Sequence, residues 1–249
     1  MLLLLHGALG SAAQFDAFRP HFLPETPVFA LNLPGHGGLP TDAPYTMERF
    51  AGAVLAFLEE KNEAQADLFG YSMGGYVALW LAWKHPERVR RVATLNTKLD
   101  WSPEVAARMS AMFDTEKIEA KVPQFAQALA QAHAPADWKA VAQRTADFLR
   151  DLGDGKGLPP AAFAQIACPV AVLRGELDNT VGAEESQRVA DLLPQGFYRE
   201  IPGSRHAIEQ VDVAAVVREL GWEATKLPGS FIPSTRDREV GLREVDLQL

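Results

Sequence analysis

The run Gly70-Tyr71-Ser72-Met73-Gly74-Gly75 stands where an apolar segment of strand length gives way to one of helical period. A serine with glycine two positions to either side suits a strand-to-helix turn too tight for larger residues, and such a turn holds Oγ clear of the strand end. The backbone N–H of Met73 then points to where negative charge would develop on a carbonyl oxygen under attack. A second donor is expected from His6-Gly7-Ala8-Leu9-Gly10, which follows the first apolar run; the N–H of Ala8 is the candidate and that of Leu9 the alternative. A serine hydroxyl is a weak nucleophile until a base takes its proton, and the base needs a carboxylate to orient it. Among the six histidines, His206 lies in the turn-rich Pro202-Gly203-Ser204-Arg205-His206, from which a ring can reach over strand ends. His36, in Leu33-Pro34-Gly35-His36-Gly37-Gly38, is the alternative base. Asp178, in the loop that begins Arg174-Gly175-Glu176-Leu177-Asp178, is the candidate carboxylate and Glu176 the alternative. His6 is read as bonded within its own loop, and His21, His85 and His133, near expected helix ends, as solvated.

These residues need a scaffold that brings loops distant in sequence to one edge. Short apolar runs at 2–6, 28–32, 66–71, 89–96, 170–174 and 196–201 alternate with helical patterns at 14–21, 47–61, 73–85, 183–193 and 211–220. This alternation predicts an α/β fold with a mostly parallel sheet flanked by helices. Several runs are apolar throughout, as suits strands covered on both faces. Thr46 is placed to cap a helix start, and Pro86 to end the helix before it. From 101 to 160 the alternation stops and only helical periodicity remains, at 103–113, 116–133 and 136–152, with Ser102-Pro103 a start signal and the Gly- and Pro-rich 153–160 a return linker. The expected organisation is therefore a core of 1–100 and 161–222, a helical cap of 101–160 and a tail of 223–249 in which 240–249 is a possible edge strand.

Composition narrows the possible partners. The chain of 249 residues carries 24 Lys and Arg against 32 Asp and Glu, a net charge of −8, with 47% apolar residues. That content can build a core and excludes disorder over most of the chain. The acidic balance argues against nucleic acid or an anionic membrane as partner, since the densest basic run is only Arg88-Val89-Arg90-Arg91. One cysteine, Cys168, allows no internal disulfide. The opening Met1 to Leu5 lacks a basic leader and meets His-Gly too soon for a signal sequence, and no apolar window approaches the roughly 20 residues of a membrane span. A cytoplasmic monomer or homodimer is expected. Metal-ligand spacings and a phosphate-binding Lys-Ser/Thr loop are missing, so no cofactor or metal is expected. Trp101, Met109, Met112, Phe113, Phe125, Trp138 and Phe148 of the cap segment fall at spacings compatible with helix faces, and many of them must pack cap against core. Leu9, Tyr71, Tyr76, Trp101, Met109, Phe113, Phe125 and Trp138 are the expected pocket, which suits a small acyl or ester molecule of apolar or mixed character. Lys98 and Arg108 are the cations that could meet a carboxylate.

Taken with their order, Ser72, Asp178, His206, the motifs at 6–10, 33–37, 70–75, 175–178 and 203–206 resemble the α/β-hydrolase superfamily, and the resemblance covers residues 1 to about 220. Among its members the chain is most similar to small, helical-capped, esterase-like hydrolases. It also bears some likeness to the menaquinone-pathway synthase that makes 2-succinyl-6-hydroxy-2,4-cyclohexadiene-1-carboxylate. The resemblance implies a serine hydrolase acting through an acyl-enzyme. A lyase or C–C hydrolase using the same three residues, and a weakly catalytic ligand receptor, are the alternatives. Tyr76 stands where the synthase pattern carries an arginine that helps hold a carboxylated substrate. The family also commonly has two antiparallel strands before the His-Gly strand, which here begins at residue 2.

Overall fold

The structure is a computed structural model and describes residues 1–22, 26–40 and 42–220. Six strands, β1 (Leu2–Leu5), β2 (Val28–Leu31), β3 (Ala66–Tyr71), β4 (Val89–Leu95), β5 (Val170–Gly175) and β6 (Gly196–Ile201), form one sheet in the order β2-β1-β3-β4-β5-β6. Every adjacent pair is parallel. Strand side chains alternate faces, so Leu3 and Leu5 enter one apolar cluster while Leu2 and Leu4 enter the other. A run of four leucines is what a strand buried on both faces requires. The possible edge strand at 240–249 and the rest of the tail lie outside the described residues.

Helices α1 (Met47–Glu60) and α2 (Met73–Lys84) cover the first face. Thr46 caps α1 by accepting the Arg49 N–H at 3.1 Å, and α2 ends before Pro86. On the opposite face the segment 14–21, expected as one helix, forms two short 3-10 turns, Ala12–Phe15 and Arg19–His21. Pro20 supplies no N–H and its ring opposes a carbonyl one turn earlier, so a continuous helix cannot form. Phe15, Phe18 and Phe22 still reach the core, where Phe15 and Phe18 pack against Phe69 of β3.

Between β4 and β5 the chain makes five helices: α3 (Pro103–Ser110), α4 (Thr115–Lys121), α5 (Pro123–His133), α6 (Trp138–Asp151) and α7 (Pro160–Phe163). Ser102, Asp114 and Asp137 cap α3, α4 and α6 through their side-chain oxygens. The span 116–133, expected as one helix, is divided because Pro123 pushes Val122 out of the helical region, to φ −139°. The chain leaves α6 through a kinked turn at Leu152–Lys156, where Gly155 has φ +85°. The linker expected at 153–160 is thus partly ordered as this turn, with Pro160 opening α7. Helix α8 (Ala183–Leu192) adds to the first face and α9 (Val213–Leu220) to the second. α9 starts two residues later than the pattern suggests because Asp212 accepts the Ala215 N–H and caps it.

The chain runs from β1 outward to β2 and then returns to place β3 on the other side of β1. The carboxyl ends of β1 and β3 therefore flank a crevice at the point where strand order reverses, the usual place for a ligand in an open parallel sheet.

Candidate active site

Ser72 follows the last residue of β3 and precedes the first of α2, with φ +50° and ψ −117°. This conformation is strained for a residue with a side chain and persists only where neighbours over-determine it. Here they do: the Ser72 N–H donates to Leu95 O at 2.8 Å, and Ser72 O accepts from Gly75 N, Tyr76 N and the Thr97 hydroxyl. The glycines are dictated by close approach. A Cβ at Gly70 would lie 2.3 Å from Gly74 O, one at Gly74 would lie 2.0 Å from Leu5 O, and one at Gly75 would meet Thr97 Oγ1 at 2.0 Å. On the neighbouring strand end, Gly10 N donates to Gly7 O at 3.0 Å, closing a turn through Ala8 and Leu9. Among the described residues neither Ala8 N–H nor Met73 N–H has an acceptor.

His206 Nδ1 stands 2.8 Å from Asp178 Oδ2. The other carboxylate oxygen accepts Thr180 N–H at 2.7 Å and Val181 N–H at 3.0 Å. Burial alone would raise the Asp178 pKa; the hydrogen bond and charge of His206, with the two amides, outweigh it and hold the carboxyl below its ordinary value. An ionised carboxylate accepts only, so Nδ1 carries the proton and Nε2 is left free to accept one.

Asn96 and Arg174, which sequence reasoning did not single out, hold this pair together with Tyr71, which it placed only in the pocket. Asn96, fully buried at the end of β4 with φ +52°, donates from Nδ2 to Arg205 O and His206 O and accepts Gly175 N–H at 2.7 Å. The Tyr71 hydroxyl donates to His206 O as well. Arg174, on β5, donates to Val181 O and Asp178 O at 2.7 and 2.6 Å and so fastens the ends of the Asp178 loop. The one sequence signal for Asn96 was its place as the polar last residue of the apolar run at 89–96.

A cavity of about 260 Å³ lies beside these groups. Ala8, Leu9, Tyr71, Ser72, Met73, Tyr76, Thr180 and His206 line it from the sheet edge. From the α3–α6 segment and its flanks come Trp101, Met109, Met112, Phe113, Ile118, Phe125, Phe148, Leu149 and Leu152. Of these, Met112 and Phe125 are 58% and 49% exposed, so this part of the wall reaches solvent. Lys98 also lines the wall, but its ammonium pairs with Glu185, whose second oxygen accepts Leu99 and Asp100 amides. Arg108 is exposed and is not among the lining residues.

Other expected residues sit elsewhere. Trp138 does not line the cavity; it is buried with Ile118, Leu129 and Val141 between the helices, because its position at the start of α6 turns it into that cluster. His36 is buried against His6, Tyr45 and His133 and does not line the cavity with Ser72. Glu176 is exposed and accepts the Gly203 N–H. His6 bonds Gly7 O, as its loop position suggests, and also accepts Leu33 N–H. His133 is not solvated but fully buried, since the carbonyl and amide it meets lie on the sheet-edge loops beneath α5.

The model of the family described as alpha/beta hydrolase fold matches residues 1–137. The chain belongs to that family. A pimeloyl-(acyl-carrier protein) methyl ester esterase of Neisseria meningitidis is 41% identical over 87 residues, 35% of this chain and 32% of that protein. Lipase LipV of Mycobacterium tuberculosis is 37% identical over 76 residues, 30% of this chain and 29% of that protein. The match thus spans about a third of the length of these curated relatives. The structure of MenH from S. aureus superposes with TM-score 0.69 over 89% of this chain and 92% of that one, at 22% identity, a likeness of fold. As an α/β hydrolase the chain keeps the parallel sheet of the family with helices on both faces. Among the described residues no helix is long and apolar enough to cross a membrane, and no group of three His, Cys, Asp or Glu side chains could hold a metal ion.

Proposed function

We propose that this α/β hydrolase is a serine hydrolase that cleaves carboxylic esters of apolar acyl groups through an acyl-enzyme. The observation that carries the reading is the Asp178–His206 pair, bonded at 2.8 Å through Nδ1, with His206 and Ser72 lining the same cavity. In this reading His206 Nε2 takes the Ser72 proton as Oγ bonds to the ester carbonyl carbon. The carbonyl electrons move to the oxygen, where Ala8 N–H and Met73 N–H receive the charge. On collapse the C–O bond to the alcohol breaks and His206 returns the proton to the leaving oxygen. Water, deprotonated by the same nitrogen, then releases the acid. The α3–α7 segment acts as a cap whose apolar side chains bind the acyl group. Pairing of Lys98 with Glu185 argues for a neutral substrate over a carboxylated one, and so against synthase-like use of the same residues. The similarity to ester-cleaving relatives over a third of their length supports the reaction class.

The test is intact-mass analysis after a fluorophosphonate probe, alongside hydrolysis of nitrophenyl esters of increasing acyl length. The wild-type chain should gain one adduct and turn over the esters, and Ser72→Ala should lose the adduct and at least about a thousandfold in kcat. A folded wild-type chain that neither reacts nor turns over esters would overturn the reading.

A further inference from the structure

His133 closes α5, yet its ring is fully buried among loops of the sheet edge. Nδ1 accepts the Gly37 N–H at 3.1 Å, and Nε2 stands 3.1 Å from Leu9 O. A neutral imidazole that accepts at Nδ1 carries its proton at Nε2, so it donates to the Leu9 carbonyl. Burial keeps the ring below its ordinary pKa, which favours this neutral form. One side chain thereby ties the helical insert to the loops that follow β1 and β2.

Leu9 is the residue that needs tying. It is the third residue of the Gly7–Gly10 turn and has φ +54°, in a position that favours glycine. Its side chain leaves the turn to join Ile118, Leu129 and Trp138 in the apolar cluster of the insert. Both its carbonyl and its side chain are held from the insert side, while Ala8, which precedes it in the turn and lines the cavity, has an N–H without an acceptor among the described residues.

We propose that His133 is a positioning residue for oxyanion stabilisation: through Leu9 O it fixes the turn that aims the Ala8 N–H. The inference rests on the serine-hydrolase reading and deepens it, because it makes the insert part of the machinery that orients the donor as well as a lining for the acyl group. Loss of the bond leaves the ground-state carbonyl bound but the developing oxyanion poorly met, so kcat falls while KM holds.

Three variants separate the bonds. His133→Gln keeps an N–H near Nε2 for Leu9 O, His133→Asn keeps an acceptor near Nδ1 for Gly37, and His133→Phe keeps neither. With nitrophenyl acetate, whose acyl group barely enters the apolar wall, His133→Asn and His133→Phe should lose about ten- to a hundredfold in kcat, less than deletion of a whole donor costs. KM should change less than about threefold, and fluorophosphonate labelling should slow by the same factor as kcat. His133→Gln should restore most of both. Wild-type rates in all three variants overturn the proposal, as does failure of Gln to rescue or a parallel change in KM and thermal midpoint. Should the variants not fold, nitrogen NMR of the wild-type imidazole decides: a proton on Nε2 supports the proposal, and one on Nδ1 or on both nitrogens overturns it. A wild-type chain without an adduct overturns the hydrolase reading and this inference with it, whereas a wild-type adduct with unaffected variants overturns this inference alone.

Discussion

At the scale of the residue, Asp178 shows how much one side chain is asked to do. Its two oxygens take three N–H groups, those of His206, Thr180 and Val181, and its backbone carbonyl takes a fourth from Arg174. In Asp178→Asn the amide keeps the shape but presents an N–H where Nδ1–H needs an acceptor, so the ring is driven to the tautomer with its proton facing Ser72. Ester hydrolysis should fall by about 10³- to 10⁴-fold with the fold retained, checked by kcat beside the circular dichroism spectrum. As groups at one sheet edge, Ser72, Asp178 and His206 were legible in the sequence, because each lies in the turn or loop that follows an apolar run. Asn96 and His133 were not, since their roles arise from carbonyls 109 and 124 residues away along the chain. A buried histidine at a helix end looks the same in sequence as a solvated one.

At the scale of the element, the junction of β1, β3 and α2 is set by absent side chains. Gly74 lets the start of α2 approach the β1 backbone; a methyl there would stand 2.0 Å from Leu5 O, an atom that cannot move without unpairing the sheet. Gly74→Ala should cost about 3 kcal/mol or more, read as a lower denaturant midpoint. Gly52 supplies the contrast. It lies exposed in the middle of α1 with nothing within 4 Å of where a Cβ would be. Gly52→Ala should therefore stabilise the protein by about 1 kcal/mol, by the difference in helix propensity. All six strands were legible to within a residue at either end, because apolar runs of that length between turn residues have few other uses. At 14–21 and 116–133 periodicity predicts single helices, and Pro20 and Pro123 divide them. The backbone constraint wins there, since a missing N–H cannot be replaced by a better apolar face.

At the scale of the whole molecule, three neutral imidazoles from three parts of the chain meet beneath the insert. His6 follows β1, His36 follows β2 and His133 ends α5; the ring centroids of His6 and His133 lie 5.0 and 5.8 Å from that of His36. Burial lowers the pKa of all three, His6 to about 4, and their mutual repulsion when charged lowers His6 and His36 further. In the unfolded chain each titrates near 6.5. Below that pH the unfolded state takes up protons that the folded state refuses, so stability is intact at neutral pH and declines as pH falls. His6 alone should remove about 2 kcal/mol by pH 5, with His36 and His133 acting in the same direction. Asp178, whose carboxyl is held below its ordinary value, adds its own loss at lower pH, as pH falls from the unfolded carboxyl's pKa toward the lowered folded one. A domain whose net stability is on the order of 10 kcal/mol is thus expected to weaken well above the carboxylate range. Urea midpoints measured from pH 8 to pH 4.5 should be level down to about pH 7 and then drop, with proton uptake on unfolding exceeding one per molecule near pH 5. Replacing His133 by Gln should reduce that uptake, because one imidazole no longer titrates. A midpoint flat to pH 5 would mean that the three rings accept protons in the folded state, and would remove the tautomers on which the loops beside Ser72 depend.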